Sequence, residues 1–443
     1  MNNARFARKT VFILCMALLL LTPLSAEARF TIDFINQTLD KIPVAVPEFY
    51  NMGTGANNGD LAQQATQIMV DDLHLSGYFS VRNPALYIED RSTAGITPET
   101  IDFYDWKLIN AELLIKAGFT VSEGKLTMEL RLYDVFNGSL MLGKTYQGRP
   151  EDYPEMVHRF GNEIVYLVTG QEGIFGTKVV FLRGTGDNQE IYTVGIDGRN
   201  LTRITANNVG DLSPVWDSAG ERIYYVSYLD GTTKIYSVSA EGGRPKLAVG
   251  YEGLNATPSI SPNGKRMAMT LSKDGNSEIY TSNLDGRALR RLTASWSIEV
   301  SPCWSPEGNE LVFISDRSGT PQVYKMADDG SEVRRLTFEG GYNQTPEWSP
   351  TGDKICYSGR SMGTYDIFVM NADGSYRFNL TEGVGSNEDP SWSPDGRAIV
   401  FSSTRGGRGR TLWIMNIDGS YTKQLTTPGG FDTSPSWAPR LLK

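Results

Sequence analysis

The chain has 443 residues, 40% of them hydrophobic and 21% charged, with 46 glycines, 21 prolines and three cysteines. That length supports more than one packed domain, and so few cysteines exclude a disulfide scaffold. A formal net charge of −9 without any Lys/Arg cluster excludes the basic footprint that dominates nucleic-acid affinity.

At the N-terminus Arg5, Arg8 and Lys9 precede an apolar run over residues 11–21 and then Ala26-Glu27-Ala28. This order reads as a secretory signal peptide over residues 1–28, cleaved before Arg29. The run is too short for a permanent membrane helix. Cys15 lies inside it rather than at the cleavage point, which argues against a lipid anchor, so the mature chain is expected to be exported and soluble. Cleavage removes three positive side chains and one negative one, taking the formal charge from −9 to −11. Residues 29–40 follow with a mild alternation: Arg29, Phe30, Thr31, Ile32, Asp33, Phe34. Such a segment is either a loosely docked terminus or a strand that adds to a partner's sheet.

Residues 41–170 carry mixed periodicity. Residues 41–49 alternate as a strand, and residues 61–75 have helical spacing at Leu61, Ala65, Ile68, Met69 and Leu73. Residues 106–115 and 125–133 read as strands. Residues 153–168 read as an amphipathic helix with Met156, Phe160, Ile164 and Leu167 on one face. These elements make an α/β domain, bounded by Gly170, Gly173 and Gly176.

From residue 174 onward the chain is periodic. Prolines 214, 258, 302, 346, 390 and 435 recur every 44 residues, once 45, within the phrase Pro-x-Trp-Ser-Pro-x-Gly. Each copy holds an Asp-Gly or Glu-Gly pair ending at Gly198, Gly242, Gly286, Gly330, Gly374 or Gly419, read as a type I′ hairpin turn. An apolar-aromatic pair such as Val323-Tyr324 precedes each glycine, and a Leu-Thr or Ile-Thr pair follows in every copy except the second, which has Leu247-Ala248. One copy therefore contains four short strands, and a mid-forties period of this kind predicts a six-bladed all-β propeller. The first copy lacks its Pro-x-Trp strand, while a surplus one stands at Ser434-Pro435-Ser436-Trp437. The last strand is thus expected to close the ring and remove its free edges.

Catalytic chemistry is sparse. His74 and His158 stand on predicted helices of the α/β domain at no metal-binding spacing. A histidine so placed is more often a partly buried surface residue than a ligand. Gly359-Arg360-Ser361-Met362-Gly363 matches a nucleophile motif in letters only, because it falls between two strands of a blade and the repeats hold no histidine. No hydrolase domain follows the repeats, although propellers of this type also precede the catalytic domain of prolyl-oligopeptidase-like peptidases. An enzyme is not expected. Cys303 and Cys356 read as isolated buried thiols rather than a disulfide.

Three residues before each repeat proline stand Asp211, Asn255, Glu299, Asn343, Asn387 and Asp432; one residue before it stand Ser213, Thr257, Ser301, Thr345, Asp389 and Ser434. Short polar side chains of this kind often satisfy loop backbone groups. If they instead ring a mouth of the central channel, they form a cup of oxygen acceptors for a polypeptide or a hydrated cation. Ca²⁺ prefers such oxygen ligands and would suit the channel, though no acidic loop spacing defines a site; otherwise no cofactor is expected.

The leader, the small α/β domain and the six-copy Pro-x-Trp-Ser-Pro-x-Gly, Asp-Gly, Leu-Thr repeat together resemble the TolB family of Gram-negative envelope proteins, over residues 29–443. The resemblance implies a periplasmic component of the Tol-Pal system that supports outer-membrane integrity and constriction during cell division. It implies binding of the lipoprotein Pal at the propeller mouth, with other outer-membrane proteins and bacteriocins as further partners, and binding of the TolA C-terminal domain by the mature N-terminus. Carried onto this chain, the Pal contacts would fall on Asp211, on Leu254, Asn255 and Thr257, on Glu299, Val300 and Ser301, and on Asn343, Asn387, Asp389 and Asp432. The TolA contacts would fall on Arg29, Phe30, Thr31, Ile32, Asp33 and Phe34. This chain departs from the expected polarity at Leu254 and Val300, and Ile260 replaces a repeat tryptophan. Contact with membranes is implied only through partners.

Overall fold

The structure is a computed structural model that describes residues 41–440 apart from 54–58, 90–94, 186–187, 408 and 428. The expected leader and the segment at residues 29–40 lie outside the described residues.

The α/β domain is built on a sheet ordered β3-β1-β4-β5-β6, with β1 Ile42–Ala45, β3 Phe79–Val81, β4 Leu113–Ser122, β5 Lys125–Asp134 and β6 Ser139–Gly148; β2 Tyr50–Asn51 also pairs with β4. β1 runs parallel to both β3 and β4, whereas β4, β5 and β6 form an antiparallel meander. Helix α1 (Gly59–Ser76) is the crossover between β1 and β3. Leu126, Met128, Leu130 and Leu132 of β5 are fully buried at every second position, the alternation of a strand with one covered face. Residues 106–115 depart from the predicted strand: Trp106 lies in a short helix α2 (Phe103–Leu108), capped by Asp102, and the strand begins only at Leu113. Aromatic Trp106 belongs to a cluster with Leu114 and Tyr133 on the sheet's other face, so its hydrophobicity reports tertiary packing rather than strand periodicity.

Helix α3 (Tyr153–Thr169) buries Met156, Phe160 and Ile164 as its spacing predicts, but Leu167, in its last turn, is exposed. It ends at Gly170, whose φ of 70° lets its N–H reach Tyr166 O at 2.8 Å. The link to the propeller is held, not slack. Asn162 donates to Phe175 O at 2.9 Å and accepts from Phe175 N at 3.0 Å.

Six four-stranded antiparallel sheets follow: blade two β10–β13 (residues 211–249), three β14–β17 (residues 255–291), four β18 (Glu299–Trp304), β19 (Glu310–Ser315), β20 (Gln322–Ala327) and β21 (Arg334–Arg335), five β22 (Asn343–Trp348), β23 (Lys354–Ser361), β24 (Thr364–Asn371) and β25 (Phe378–Asn379), and six β26 (Asn387–Trp392) to β29 (Thr422–Gln424), with blade one assembled from β30 (Asp432–Trp437), β7 (Lys178–Arg183), β8 (Glu190–Gly195) and β9 (Thr202–Arg203). The last strand therefore supplies the inner strand of the first blade, pairing Asp432 with Arg183 and Trp437 with Val179. The repeat residues now have physical roles. The tryptophans pack between blades, and a buried indole N–H needs a partner: Trp216 donates to Ser436 O, Trp304 to Ser259 O and Trp392 to Glu347 O, each on the preceding inner strand. The repeat threonines accept a buried third-strand N–H, as Thr205 does from Ile191 and Thr381 from Ile367, at 2.9 and 3.0 Å. In blade two, where Ala248 stands, a longer fourth strand pairs Val249 with Ile235 instead.

The Asp-Gly turns differ from the type I′ expectation. In the β20–β21 connection Gly330 N donates to Ala327 O and Ala327 N to Ser331 O, which makes a three-residue loop. Only the glycine is left-handed, at φ 86°, while Asp329 accepts from Ser331 N.

Because strand direction alternates outward through each blade, the loops entering the inner strands and the hairpins between second and third strands open on one face. The Trp-Ser-Pro-x-Gly and Asp-Gly turns open on the other, and there the α/β domain sits. Arg397 donates to Ser76 O and Asn416 to His74 O, both at 2.9 Å, so blade six caps the last carbonyls of α1. The face of the inner-strand entry loops stays uncovered by the α/β domain.

Candidate partner-binding face

Each inner strand carries a bulge one residue before its proline, seen as a register shift such as that between Val300 and Cys303. The bulged residues Ser213, Thr257, Ser301, Thr345, Asp389 and Ser434 all have positive φ, from 45° to 56°. Non-glycine residues rarely adopt this conformation, and for the two threonines it is a true outlier. The bulge turns these side chains toward the channel, where all six line a central cavity of about 590 Å³.

The residues three before the proline have the opposite fate. Asp211, Asn255, Glu299, Asn343, Asn387 and Asp432 are all 0% exposed, so the expected polar ring open to a partner does not exist at these positions. Their bonds run inside the wall. Asp432 takes two bonds from Arg183, at 2.7 and 2.8 Å; Glu299 accepts from Arg317 at 2.9 Å and from Ser315 at 2.8 Å. Asn387 accepts from Ser403 and Arg405, and the Asn255 amide donates to the carbonyls of Thr233, Tyr251 and Gly253. Asn343 donates to Gln322, while Asp211, pushed up by burial, accepts both bonds of the Asn207 amide. Arg183, Arg317 and Arg405 also stack over Phe181, Phe313 and Phe401. These side chains join strands within a blade, as Asp432 and Glu299 do, or tie one blade to the one before it, as Asn255 and Asn343 do; they do not face solvent. Thr257, Ser301 and Asp389 are half-buried along the channel, Val300 is half-buried against the apolar core between blades four and five, and Leu254 is exposed on its loop.

Two carboxylates in the channel wall matter electrostatically. Asp389 accepts from Ser434 N and Oγ at 3.2 and 3.3 Å and is pushed up by burial and by neighbouring Glu388. Glu347, the variable residue of its Pro-x-Trp, accepts from Ser391 Oγ and Trp392 N, yet burial pushes it up to about 8. Sequence reasoning missed Glu347, because only the fold shows which variable position faces inward. Among the described residues no group of three or more His, Cys, Asp or Glu side chains could hold a metal ion.

Around the mouth, the uncovered face exposes large apolar side chains: Trp296 and Ile298 before β18, Phe338 and Tyr342 before β22, Met362 at the β23–β24 turn and Val384 before β26. Trp296 and Met362 are fully exposed. Clustered exposed aromatics are characteristic of protein-binding surfaces rather than of ordinary surface. Their signal in the sequence was an apolar residue inside an otherwise polar entry loop.

The remaining chemistry-bearing residues lie elsewhere. Ser361 pairs with Thr364 beside the turn at Met362, in blade five, whereas both histidines lie in the α/β domain. Cys303 and Cys356 are free thiols, and burial pushes Cys303 up to about 12. His158 is not a surface residue: it is buried where the two domains meet.

Residues 30–141 match the family described as the TolB amino-terminal domain, and residues 165–441 match the TolB beta propeller domain. The Tol-Pal system protein TolB of Desulfosudis oleivorans is 39% identical over 254 residues, 56% of this chain and 57% of that protein. Its counterpart in Syntrophus aciditrophicus is 38% identical over 232 residues, 52% of this chain and 51% of that one. The chain thus spans about half the length of the curated relatives it matches. The crystal structure of TolB from Acinetobacter baumannii superposes with a TM-score of 0.76 at 26% identity, covering 90% of this chain and 97% of the other. With one domain family matched across more than half its length and a second across most of the rest, the chain belongs to the TolB family.

Proposed function

We propose that this chain is a non-enzymatic protein–protein interaction component of the Tol-Pal system in the periplasm. It binds Pal on the uncovered propeller face and the TolA C-terminal domain through residues 29–34, and so supports outer-membrane integrity and constriction during division. The names of its relatives support the system, and among the described residues no helix is long and apolar enough to cross a membrane. The observation that carries the partner surface is the exposed set around the mouth, led by Trp296.

The contact residues follow the exposure. Leu254, Thr257, Ser301 and Asp389 stay in the site as rim and channel residues, with Trp296, Ile298, Phe338 and Tyr342 added as apolar anchors. Asp211, Asn255, Glu299, Val300, Asn343, Asn387 and Asp432 act as its structural support. Calorimetric titration with the soluble domain of Pal tests this assignment. A pulldown with mature protein lacking residues 29–40 tests the other end, and undiminished capture of TolA would refute that half.

A further inference from the structure

His158 on α3 sits between carboxylates from both domains. Its Nδ1 lies 2.8 Å from Asp72 Oδ2 on α1, and its Nε2 lies 3.4 Å from Asp197 Oδ2 in the β8–β9 turn of blade one. Gly161 leaves the junction close-packed here: a Cβ there would stand 3.0 Å from Phe175 Cδ2 and 3.3 Å from Asp72 Oδ2. His158 is 6% exposed and Asp72 4%.

The surrounding junction is polar and incompletely filled. Between α1 and blades one and six lies a cavity of about 230 Å³ lined in part by Ile68, Leu75, Ile196 and Ile414. Apolar packing across the seam is interrupted there, and the seam is crossed as well by Arg397 to Ser76 O, Asn416 to His74 O and the His74–Tyr421 ring stack. The charged groups around His158 are already distributed. On α1, Asp71 pairs with Lys423 of blade six at 2.5 Å; on blade one, Arg199 stacks over Tyr153 of α3 and lies 3.9 Å from Asp197; Tyr421 of blade six stands near Asp71 and Asp72. Among the described residues no other cation stands between Asp72 and Asp197.

We propose that Asp72, His158 and Asp197 form a charge-dependent latch that fixes the α/β domain on the propeller, and that neutralising Asp197 frees the domain to move while both domains stay folded. The imidazole must donate from both nitrogens to hold both carboxylates, which only the imidazolium does. Burial opposes that charge and also pushes Asp72 up against the pull of His158, but on His158 the two carboxylates outweigh burial and push it up to about 10. Its contribution is fully present below the ordinary histidine value near 6.5 and is lost as pH rises toward 10. Asp197 is held below the usual carboxylate range: burial works against this, but the bonds from His158 and Arg199 N prevail. Its share is lost only in strong acid.

The test measures domain orientation and the imidazole separately, on the full mature chain. Spin labels coupled through unnatural amino acids at exposed Ser122 and Asp285 report one narrow distance distribution for the wild type at pH 7.5. Asp197→Asn is expected to broaden it while circular dichroism is unchanged. In ¹⁵N NMR titrations, wild-type His158 should stay protonated beyond pH 8, and in Asp197→Asn its pKa should fall by about one unit or more. If Asp197→Asn disturbs blade one, His158→Gln, which still donates to Asp72, carries the distance measurement instead. An unchanged distribution in the folded variant, or a wild-type His158 that titrates near 6.5, overturns the latch.

Discussion

The carboxylate of Asp432 receives two parallel bonds from the Arg183 guanidinium, at 2.7 and 2.8 Å, across 249 residues of sequence. This clasp ties the last strand to the first blade at the point where the ring closes. Asp432 is fully buried, and removing one partner of a buried ion pair leaves the other uncompensated. Arg183→Met is expected to destabilise the propeller by about 3 kcal/mol in urea titration. Deleting residues 431–443 removes β30 altogether and should abolish the cooperative melting transition; a wild-type melt after that deletion would mean the ring closes in another way.

Reversing the charge of Glu299 is expected to unfold blade four. Its carboxylate holds Arg317 and Ser315 inside the wall. Glu299→Lys should lower the melting temperature or prevent folding. A variant that melts like the wild type would show that the buried assignment is wrong.

The repeat threonines give a sharper energetic test. Thr381 Oγ1 accepts the buried Ile367 N–H at 3.0 Å and donates to Asp366 at 2.7 Å. Thr381→Val keeps the shape but orphans the buried Ile367 N–H, while Asp366 keeps the Gly383 N–H at 2.9 Å, at a cost of about 1–3 kcal/mol. Equilibrium unfolding should resolve it, and a change below about 0.5 kcal/mol would contradict the role given to the Leu-Thr motif.

Glu347 makes stability depend on pH with a definite sign. Burial pushes it up to about 8 from an ordinary 4.5, so between these values the folded chain holds a proton that the unfolded chain releases. Stability attributable to this residue therefore falls as pH rises from about 4.5 to 8. Glu347→Gln should flatten that part of the stability–pH curve and stabilise the protein most at pH 8. An unaltered slope would show the carboxylate to be solvated in the channel.

The propeller was legible because its period comes from residues with one structural job: prolines and tryptophans that set the inner strand, and glycines that end its turns. The side-chain directions were not. A bulge adds a residue to the inner strand, so the position before the proline turns to the channel while the one three before it turns into the wall. Polarity alone could not separate these two sets, since buried Asp432 and channel-lining Asp389 are the same residue type. In the α/β domain, Ser139–Gly148 escaped notice as an edge strand because its mostly exposed residues lack strand alternation. Trp106 misled for the converse reason, being apolar through tertiary contact. His158 was read as unremarkable because its partners lie 86 and 39 residues away.

The proposed binding of Pal depends on exposed apolar anchors of the uncovered propeller face rather than on the buried polar positions. Isothermal titration of the soluble Pal domain against wild type and the double variant Trp296→Ser, Ile298→Ser, with melting temperatures measured in parallel, tests it most directly. Loss of an interface anchor typically costs about 2 kcal/mol or more, roughly thirty-fold in affinity. The account expects at least that loss with an unchanged melting temperature. Wild-type affinity in the folded double variant would contradict it.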